Sequence, residues 1–386
     1  MARLPARGLL LILAILPACT APAQPPVVAP KSAPSAAAPV ALPAQPEPPT
    51  PVRAAPTRPA APILWATTKL HNVDYVSVRD LAKNFELKAA WSKGETAMTL
   101  SDARGGRFTF EGNQKDFYFD GLRVFLGVPA VLHKDSLWVS QLDIIKIIAP
   151  LFRPANRLAF LPSAAPKLIV IDPGHGGIDP GTQNLKLGLN EKTFTLDVAL
   201  RLKKLLELGG WRVLLLRDKD TELSKNKKTD LLMRDEFTNR NKADLFLSIH
   251  FNSAPESISG VETYSLAPQF MHSAGDDQGD DMTKAAFPGN RFDYASLLFG
   301  EQVHRAMIAG LKAQDRGYKH ARQAVLRLLD CPGALIECAY LSNDAEARRV
   351  ATPEYRQQIA EALATGVQNY AAVLTSLRPT PAPTAK

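Results

Sequence analysis

The sequence predicts an α/β protein in which a mainly parallel twisted sheet flanked by helices is preceded by a small α+β domain. From residue 167 onward, short apolar runs alternate with longer amphipathic runs, which is typical of the strands and helices of a parallel sheet. Residues 63–153 instead carry short β-rich runs separated by Asp-Gly and Gly-Gly turns. The chain of 386 residues is long enough for two such domains with additional tails.

The first 18 residues are predicted to be a secretory signal peptide. Arg3 and Arg7 precede an apolar run, residues 8–16, that is too short to span a bilayer. The sequence Leu-Pro-Ala-Cys that ends at Cys19 resembles a bacterial lipobox, which predicts cleavage before Cys19 and a lipid on its sulfur. Cleavage after Ala23 is the alternative. Both predictions place the mature protein in the cell envelope or periplasm, and the first anchors it to a membrane.

Residues 19–62 are predicted to be an extended linker. This segment holds 14 of the 31 prolines and no aromatic residue, so it cannot bury a core. A spacer between the membrane and the folded part is the simplest interpretation, and a protein-binding role is the alternative.

The charge balance and the cysteines exclude some classes of function. The formal net charge is +8, or about +6 without the first 18 residues, and no nucleic-acid motif or basic-aromatic run occurs. This excess of positive charge is consistent with binding to an anionic polymer such as cell wall or to a membrane surface. It is equally consistent with simple solubility. Cys331 and Cys338 are predicted to be buried thiols rather than a disulfide, and no CxxC pair suggests a cysteine zinc site.

The small domain, residues 63–153, contains a faint internal repeat. Val76–Leu81 and Val139–Ile144 both read as a strand end, a serine that caps a helix, and an amphipathic helix. With the stretches YVSVRDLAK and LWVSQLDIIK, this region resembles the copper amine oxidase N-terminal-like domain, which implies a wall-binding or positioning module. An inert stalk is the alternative. Strands are predicted at 63–70, 75–78, 96–100, 106–111, 115–119 and 122–126, and a helix at 79–85.

The larger domain is predicted to span residues 167–374, followed by a disordered tail at 375–386. A long predicted helix, residues 191–208, has an apolar stripe and is stopped by Gly209 and Gly210. The predicted strands are 168–171, 211–216, 244–250, 260–266 and 334–339, and the remaining helices are 228–242, 294–311 and 352–374.

Four polar residues lie at the ends of these elements. His175 follows the first strand, Glu191 opens the long helix, and His250 ends another strand. Because the carboxyl ends of parallel strands meet at one edge of a sheet, two imidazoles and a carboxylate would form a catalytic zinc site with its fourth position left for water. Zinc activates such a water, and the reaction then needs a general acid/base. Glu337, a carboxylate inside an apolar strand, is the candidate for that base.

Each residue alone has a simpler explanation. A glutamate at a helix start is favourable with the helix dipole, and a histidine at a strand end is usually hydrogen-bonded at the sheet edge. Glu337 could pair with Arg322 or Arg327. The prediction of a site therefore depends on the combination of residues.

With these four residues in their sequence contexts, the chain resembles the zinc-dependent N-acetylmuramoyl-L-alanine amidases of the type-3 amidase family. The resemblance implies a peptidoglycan hydrolase that cleaves the amide bond between N-acetylmuramic acid and L-alanine, with zinc ligands at His175, Glu191 and His250 and the catalytic glutamate at Glu337. The matching stretches are IDPGHGG (171–177), NEK (190–192), the helix from Leu232 through Arg234 to Arg240 that leads into ADLFLSIHFNS (243–253), GVETYSL (260–266), DRGYKHARQAVLR (315–327) and ALIECAYLSN (334–343).

Some features leave alternatives open. Residues 267–293 form an insert with four aspartates, which is predicted to be a solvated loop, a gate over the cleft or, less readily, a calcium site. Lys319, His320 and Arg322 could line the cleft, although a surface position for His320 is the simpler expectation. The expected partners are peptidoglycan, a membrane through Cys19 and a protein activator, but no nucleic acid. The alternative functions are a catalytically silent peptidoglycan-binding lipoprotein and a zinc amidohydrolase acting on another peptide.

Overall fold

The computed structural model describes residues 65–378 apart from residues 93, 104 and 276–282. The predictions for the signal peptide, Cys19, the proline-rich linker and the four aspartates of the insert lie outside the described residues. No helix in the described part of the chain is both long and apolar enough to cross a membrane.

The N-terminal part folds as two antiparallel sheets around an aromatic core. Strands β1, β2, β9 and β8 form one sheet in that order, and β3 to β7 form a meander. Ser77 caps the first helix and Ser140 caps the second, which confirms the serine caps of the predicted repeat. The elements are β1 Thr67–Leu70, β2 Val73–Ser77, α1 Val78–Asn84, β3 Lys88–Ser92, β4 Ala97–Ser101, β5 Arg107–Glu111, β6 Asp116–Phe119, β7 Leu122–Phe125, β8 Val131–His133, β9 Ser136–Ser140, α2 Gln141–Asp143, a π-helical stretch Ile144–Ile148, α3 Ala149–Phe152 and a 3₁₀ helix Pro154–Phe160.

The C-terminal part alternates strands with helices, as the sequence predicts. The long helix α4 begins and ends at the predicted residues, whereas the closing helix runs to Ser376, two residues into the predicted tail. The elements are β10 Leu168–Pro173, β11 Gln183–Asn184, β12 Leu189–Asn190, α4 Glu191–Leu208, β13 Arg212–Leu215, α5 Lys227–Arg240, β14 Leu245–Asn252, β15 Val261–Leu266, a 3₁₀ helix Pro288–Phe292, α6 Asp293–Leu311, β16 Asp315–Ala321, α7 Ala324–Arg327, β17 Gly333–Tyr340, α8 Asp344–Val350 and α9 Pro353–Ser376.

The C-terminal sheet is mainly parallel. Its strand order is β13-β10-β14-β17-β15-β16, and only β15 runs antiparallel to its neighbour β17. Helices α4, α6 and α9 pack on one face of the sheet, and α5 and α7 pack on the other. The predicted mainly parallel sheet flanked by helices is therefore confirmed. Cys331 and Cys338 are both buried free thiols, as predicted.

The sheet does not stop at β16 but continues into the N-terminal part. Strand β16 pairs in parallel with β7 at Tyr318 and Val124, so that β7, β6, β5, β4 and β3 extend it to eleven strands. The main-chain nitrogen of Arg123 donates to Asp315 at 2.9 Å, and Arg305 donates to the main-chain oxygens of Phe119 and Asp120. The segment between the two predicted domains, residues 154–166, therefore connects two parts that share one sheet.

Candidate metal centre and active site

The strand ends bring the four predicted residues to one edge of the sheet. Strand β10 ends in the turn that presents His175, and the adjacent strand β14 carries His250. His250 lies directly beside Glu337 in the pairing of β14 with β17. Glu191 reaches the same place from the first residue of α4. His175 has a φ of +63°, an uncommon backbone conformation for a residue other than glycine, and this is often seen where a side chain is aimed at a site.

His175, Glu191 and His250 form a compact donor set. Nε2 of His175 lies 3.1 Å from Oε2 of Glu191, and Nδ1 of His250 lies 2.9 Å from Oε1 of Glu191. One donor atom from each of the three residues lies within 4.8 Å of the others. The two imidazole rings are 5.0 Å apart and nearly perpendicular, so that both present a nitrogen to the same carboxylate.

Glu191 is held as a carboxylate although it is only 2% exposed. Its oxygens accept hydrogen bonds from the main-chain nitrogens of Thr182 at 2.7 Å and Phe251 at 3.0 Å. Burial alone would raise the pKa of Glu191, but the two histidines lower it well below its usual value. A buried carboxylate that stays ionised is a suitable ligand for a cation.

The outer nitrogen of His175 is held by Asp179. Nδ1 of His175 lies 2.9 Å from Oδ2 of Asp179, which leaves Nε2 directed at Glu191. Asp179 also accepts from Lys227 and from the main-chain nitrogen of Gly181. Burial would raise the pKa of Asp179, but Lys227 and His175 lower it to about 2. Burial lowers the pKa of His175, and its bonds to Glu191 and Asp179 raise it above the usual value. A histidine held by a carboxylate at its second nitrogen is the usual arrangement of a metal ligand.

A buried arginine fixes the turn that carries His175. Arg217 is 4% exposed and donates to the main-chain oxygens of Pro173 at 2.9 Å and Gly174 at 3.0 Å. Thr195 on α4 donates to the same oxygen of Gly174 at 2.8 Å. These bonds tie the turn to the helix that begins at Glu191, so both ligands move together.

A second buried arginine supports the strand before the turn. Arg234 pairs with Asp172 and Asp230, and it also donates to the main-chain oxygen of His175 at 3.3 Å. Ser248 donates to the other oxygen of Asp172 at 2.8 Å. Burial would raise the pKa of Asp172, but the charges of Arg234 and His250 lower it. The carboxylate is therefore ionised and fully paired in the interior.

Glu337 stands next to the donor set with one oxygen unpaired. Its Oε2 is buried and has no hydrogen-bond partner among the described residues. Burial raises the pKa of Glu337 well above its usual value, and the charges of Glu191 and Glu262 raise it further, whereas Lys319 opposes them. The nearby cation is thus Lys319. Arg322 donates to the main-chain oxygen of Met271, and Arg327 donates to the main-chain oxygen of Arg322. The alternative explanation of Glu337, a pairing with Arg322 or Arg327, is not seen among the described residues.

Glu262 is an additional carboxylate that the sequence alone did not single out. It lies opposite Glu337 in the pairing of β15 with β17 and is 4% exposed. Lys319 at 2.6 Å, Tyr340 at 2.6 Å, Tyr264 at 2.5 Å and Asn252 at 3.0 Å all donate to it. Burial would raise the pKa of Glu262, but Lys319, Tyr264 and Tyr340 lower it below its usual value. Its only sequence signal is its place in an apolar strand, the same signal that identified Glu337.

The predictions for the neighbouring residues have mixed outcomes. Lys319 and His320 line a cavity of about 220 Å³ together with Tyr264 and Phe125, and none of the four predicted site residues is in its lining. His320 is 5% exposed, its ring centre lies 5.2 Å from that of Tyr318, and burial lowers its pKa to about 4, so the expected surface position is wrong. The reason is that β16 is an interior strand of the joined sheet.

The donor set fits zinc. Two imidazoles and one carboxylate are the ligand types of catalytic zinc sites. The backbone leaves room for them, since a Cβ on Gly174 would lie 2.3 Å from the His250 ring and a Cβ on Gly181 would lie 2.5 Å from Oε2 of Glu191. The buried Oε2 of Glu337 has no hydrogen-bond partner among the described residues. The residues therefore match a metal centre with a base beside it.

Comparison with known proteins places this site in a family. Residues 169–369, just over half of the chain, match the family model described as N-acetylmuramoyl-L-alanine amidase. An uncharacterized cell wall amidase of Bacillus anthracis is 33% identical over 205 residues, which are 53% of this chain and 35% of that protein. The germination-specific N-acetylmuramoyl-L-alanine amidase of Bacillus subtilis is 28% identical over 258 residues, 62% of this chain and 96% of that protein.

A solved structure is also similar to part of the chain. The N-acetylmuramoyl-L-alanine amidase from Clostridium difficile 630 is 28% identical and gives a TM-score of 0.43, with 54% of this chain and 97% of that chain covered. The matched residues 169–369 include His175, Glu191, His250 and Glu337. With the family model covering half of its length and the site residues, the chain belongs to the N-acetylmuramoyl-L-alanine amidase family of cell wall hydrolases.

Proposed function

We propose that this protein hydrolyses the amide bond between the lactyl group of N-acetylmuramic acid and the L-alanine of the peptidoglycan stem peptide. His175, Glu191 and His250 hold zinc, and Glu337 is the general acid/base. The observation that carries the proposal is the unpaired buried oxygen of Glu337 beside the His-Glu-His donor set.

The protein residues have separate roles in this reaction. Bound zinc supplies a Lewis acid that polarises the scissile carbonyl and makes water nucleophilic near neutral pH. Glu337 takes a proton from the attacking water and gives it to the leaving nitrogen, which suits a carboxyl whose pKa is raised above its usual value. Asp179 orients His175, and Arg217 and Arg234 hold the turn and the strand end in place.

The cellular setting that we propose follows from the sequence. The substrate of such an amidase lies outside the cytoplasm, in agreement with the predicted signal peptide. We propose that the mature protein begins at a lipidated Cys19 and that residues 19–62 space the folded part from the membrane. Residues 63–153 are then a copper amine oxidase N-terminal-like module beside a catalytic domain at 167–374. A protein activator remains a prediction.

Cys19→Ala should move the protein from the membrane fraction to the soluble periplasm, and unchanged fractionation would contradict the anchor.

The bond specificity can be tested directly. The zinc-loaded full chain is incubated with purified muropeptides, and mass spectrometry identifies which bond opens. Free stem peptide with an N-terminal alanine is expected. Cleavage within the peptide would instead favour a zinc peptidase, and the absence of cleavage would favour a silent binding protein.

The role of Glu337 needs its own variant. Glu337→Gln keeps the shape of the side chain, so we expect it to retain zinc and to lose about 10²- to 10⁴-fold in turnover. Glu256→Gln is the matched control, because Glu256 is an exposed carboxylate paired with Lys186 on the surface. Near-normal turnover of Glu337→Gln would show that another group is the base.

A further inference from the structure

One face of the sheet connects the active site with the N-terminal part. Successive residues of a strand point to opposite faces, and directly paired residues share a face. The pairs His250–Glu337 and Glu337–Glu262 place these three side chains on the same face. Tyr264 follows Glu262 by two residues and is paired with Lys319, so both share that face as well. The catalytic carboxylate thus belongs to a row of side chains that runs toward β7.

Side-chain contacts carry this face across the junction. Lys319 pairs with Glu262 at 2.6 Å and lies 5.0 Å from the centre of the Phe125 ring on β7. The guanidinium carbon of Arg123 lies 4.9 Å from the centre of the same ring, and Nε of Arg123 donates to Asp116 at 2.9 Å. Gly317 on β16 permits this approach, since it has a φ of +103° and a Cβ there would lie 2.4 Å from the Phe125 ring. Lys319, Tyr264 and Phe125 also line the cavity of about 220 Å³, which therefore lies on this face where the catalytic part meets the N-terminal sheet.

The face ends in an open depression on the N-terminal sheet. Phe108, Phe110 and Phe117 are fully buried, so the residues between them point outward. Thr109 lies opposite both Thr99 and Tyr118, and these side chains help to line a depression of about 420 Å³. Tyr118 is 46% exposed. At about 4.8 Å per strand, Tyr118 lies roughly 19 Å from Glu337 and Thr99 roughly 29 Å.

The chemistry of the depression favours a neutral polymer rich in hydroxyl groups. Its lining has two threonine hydroxyls that bond each other at 3.1 Å, a glutamine amide and the half-exposed ring of Tyr118. The lining contains one arginine and two carboxylates, one of which is already paired with Arg123, so no excess of positive charge attracts an anionic lipid or nucleic acid. Hydroxyls and amides match the hydroxyl groups of a sugar, and an exposed ring packs on the apolar face of a pyranose.

We infer that this outer face, formed by Thr99, Thr109, Asp116, Tyr118 and Arg123, binds the glycan strand of the polymer whose peptide is cut at Glu337. The inference rests on the proposed function and adds a binding surface that starts at the active site. The N-terminal part then does more than position the enzyme near the wall, because it holds the strand that carries the scissile bond. A glycan strand that extends roughly 20–30 Å from that bond reaches Tyr118, whereas a single sugar ring does not.

Binding is measured with the full chain carrying Glu337→Gln, so that the polymer is not cut. Purified sacculi are pelleted with increasing amounts of protein, and the fraction of protein in the pellet is measured. The chain that also carries Tyr118→Ala is compared with the chain that carries Glu337→Gln alone. We expect about tenfold weaker binding, which corresponds to about 1.4 kcal/mol. Leu132→Ala is the control, since Leu132 is a 37% exposed side chain of the N-terminal part that lies on the other sheet. Equal binding of the Tyr118 and Leu132 variants would overturn the inference.

A second measurement uses chains with Glu337 intact. The rate of hydrolysis of sacculi is divided by the rate for a soluble single-sugar muramoyl peptide. Tyr118→Ala should lower this ratio about tenfold, and Leu132→Ala should keep it; an unchanged ratio for Tyr118→Ala would overturn the inference. If the zinc-loaded wild type cuts no muramoyl peptide, the proposed function fails, and the pelleting experiment still decides whether the face binds glycan.

Discussion

Removal of Asp179 should weaken zinc binding without disturbing the fold. Asp179 accepts from Nδ1 of His175 at 2.9 Å, and its low pKa of about 2 means that it is ionised at neutral pH. A hydrogen bond to a charged group contributes about 1.5–3 kcal/mol. Because 29% of the Asp179 side chain is exposed, solvent screening places the effect at the lower end. About 1.5 kcal/mol corresponds to roughly tenfold weaker zinc binding for Asp179→Ala.

The assay is competition for zinc between the metal-free protein and a chromophoric chelator at pH 7.5. Asp220→Asn is the matched control: Asp220 accepts from the main-chain nitrogen of Gly177 at 2.8 Å and pairs with Lys192 at the same turn, but it contacts no zinc ligand. Its zinc affinity should stay within about twofold of wild type. If Asp179→Ala binds zinc as well as the wild type, the orienting role is refuted. If both variants weaken zinc binding equally, the turn rather than the histidine is being disturbed.

Three further predictions concern stability and the space around the ligands. Arg234→Met leaves the charge of Asp172 buried and unpaired, so urea unfolding should show a loss of about 3–5 kcal/mol. Glu262 has a lowered pKa in the folded protein, so the stability it contributes is complete above its unfolded pKa of about 4.3 and is lost as the pH falls toward the folded value; Glu262→Gln should cost less unfolding free energy at pH 3 than at pH 7. Gly181→Ala combines a φ of +67° with a Cβ 2.5 Å from Glu191, and it should lower both the thermal midpoint and the zinc affinity, with at least about 1 kcal/mol lost from the backbone alone.

The three residues proposed to bind zinc could be predicted to lie together because each one lies at or just after the end of an element. A strand that ends two residues before His175, a helix that begins at Glu191 and a strand that carries His250 need only the rule for parallel strands to bring them together. Glu337 was found because a carboxylate in an apolar strand is costly without a role. These are local signals, and the structure brings the same residues within hydrogen-bond distance of one another or into the neighbouring strand.

The residues that support the ligands have no such local signal. Arg217 clamps a turn 43 residues earlier in the chain, and nothing in its own neighbourhood distinguishes it from a surface arginine. Asp179 stands in a polar turn where aspartates are common. Their roles depend on contacts between distant segments, which periodicity and composition do not report.

The junction of the two parts shows where local patterns stop being informative. Residues 315–321 form a strand that the hydrophobic pattern did not reveal, because charged residues interrupt it and one of them, Lys319, is a partner of Glu262. Its pairing with β7 joins residues that are almost 200 positions apart through a single register pair, Tyr318 with Val124. Once that pair is formed, the alternation of side chains fixes which residues share a face: Phe125 lies beside Lys319, and the outer residues of the meander continue the face that carries Glu337.

An accessory module attached by a flexible linker could sample many orientations relative to the proposed catalytic carboxylate, whereas a strand pair fixes one. This fixed orientation is what allows the N-terminal face to hold a substrate in register with the bond that is cut.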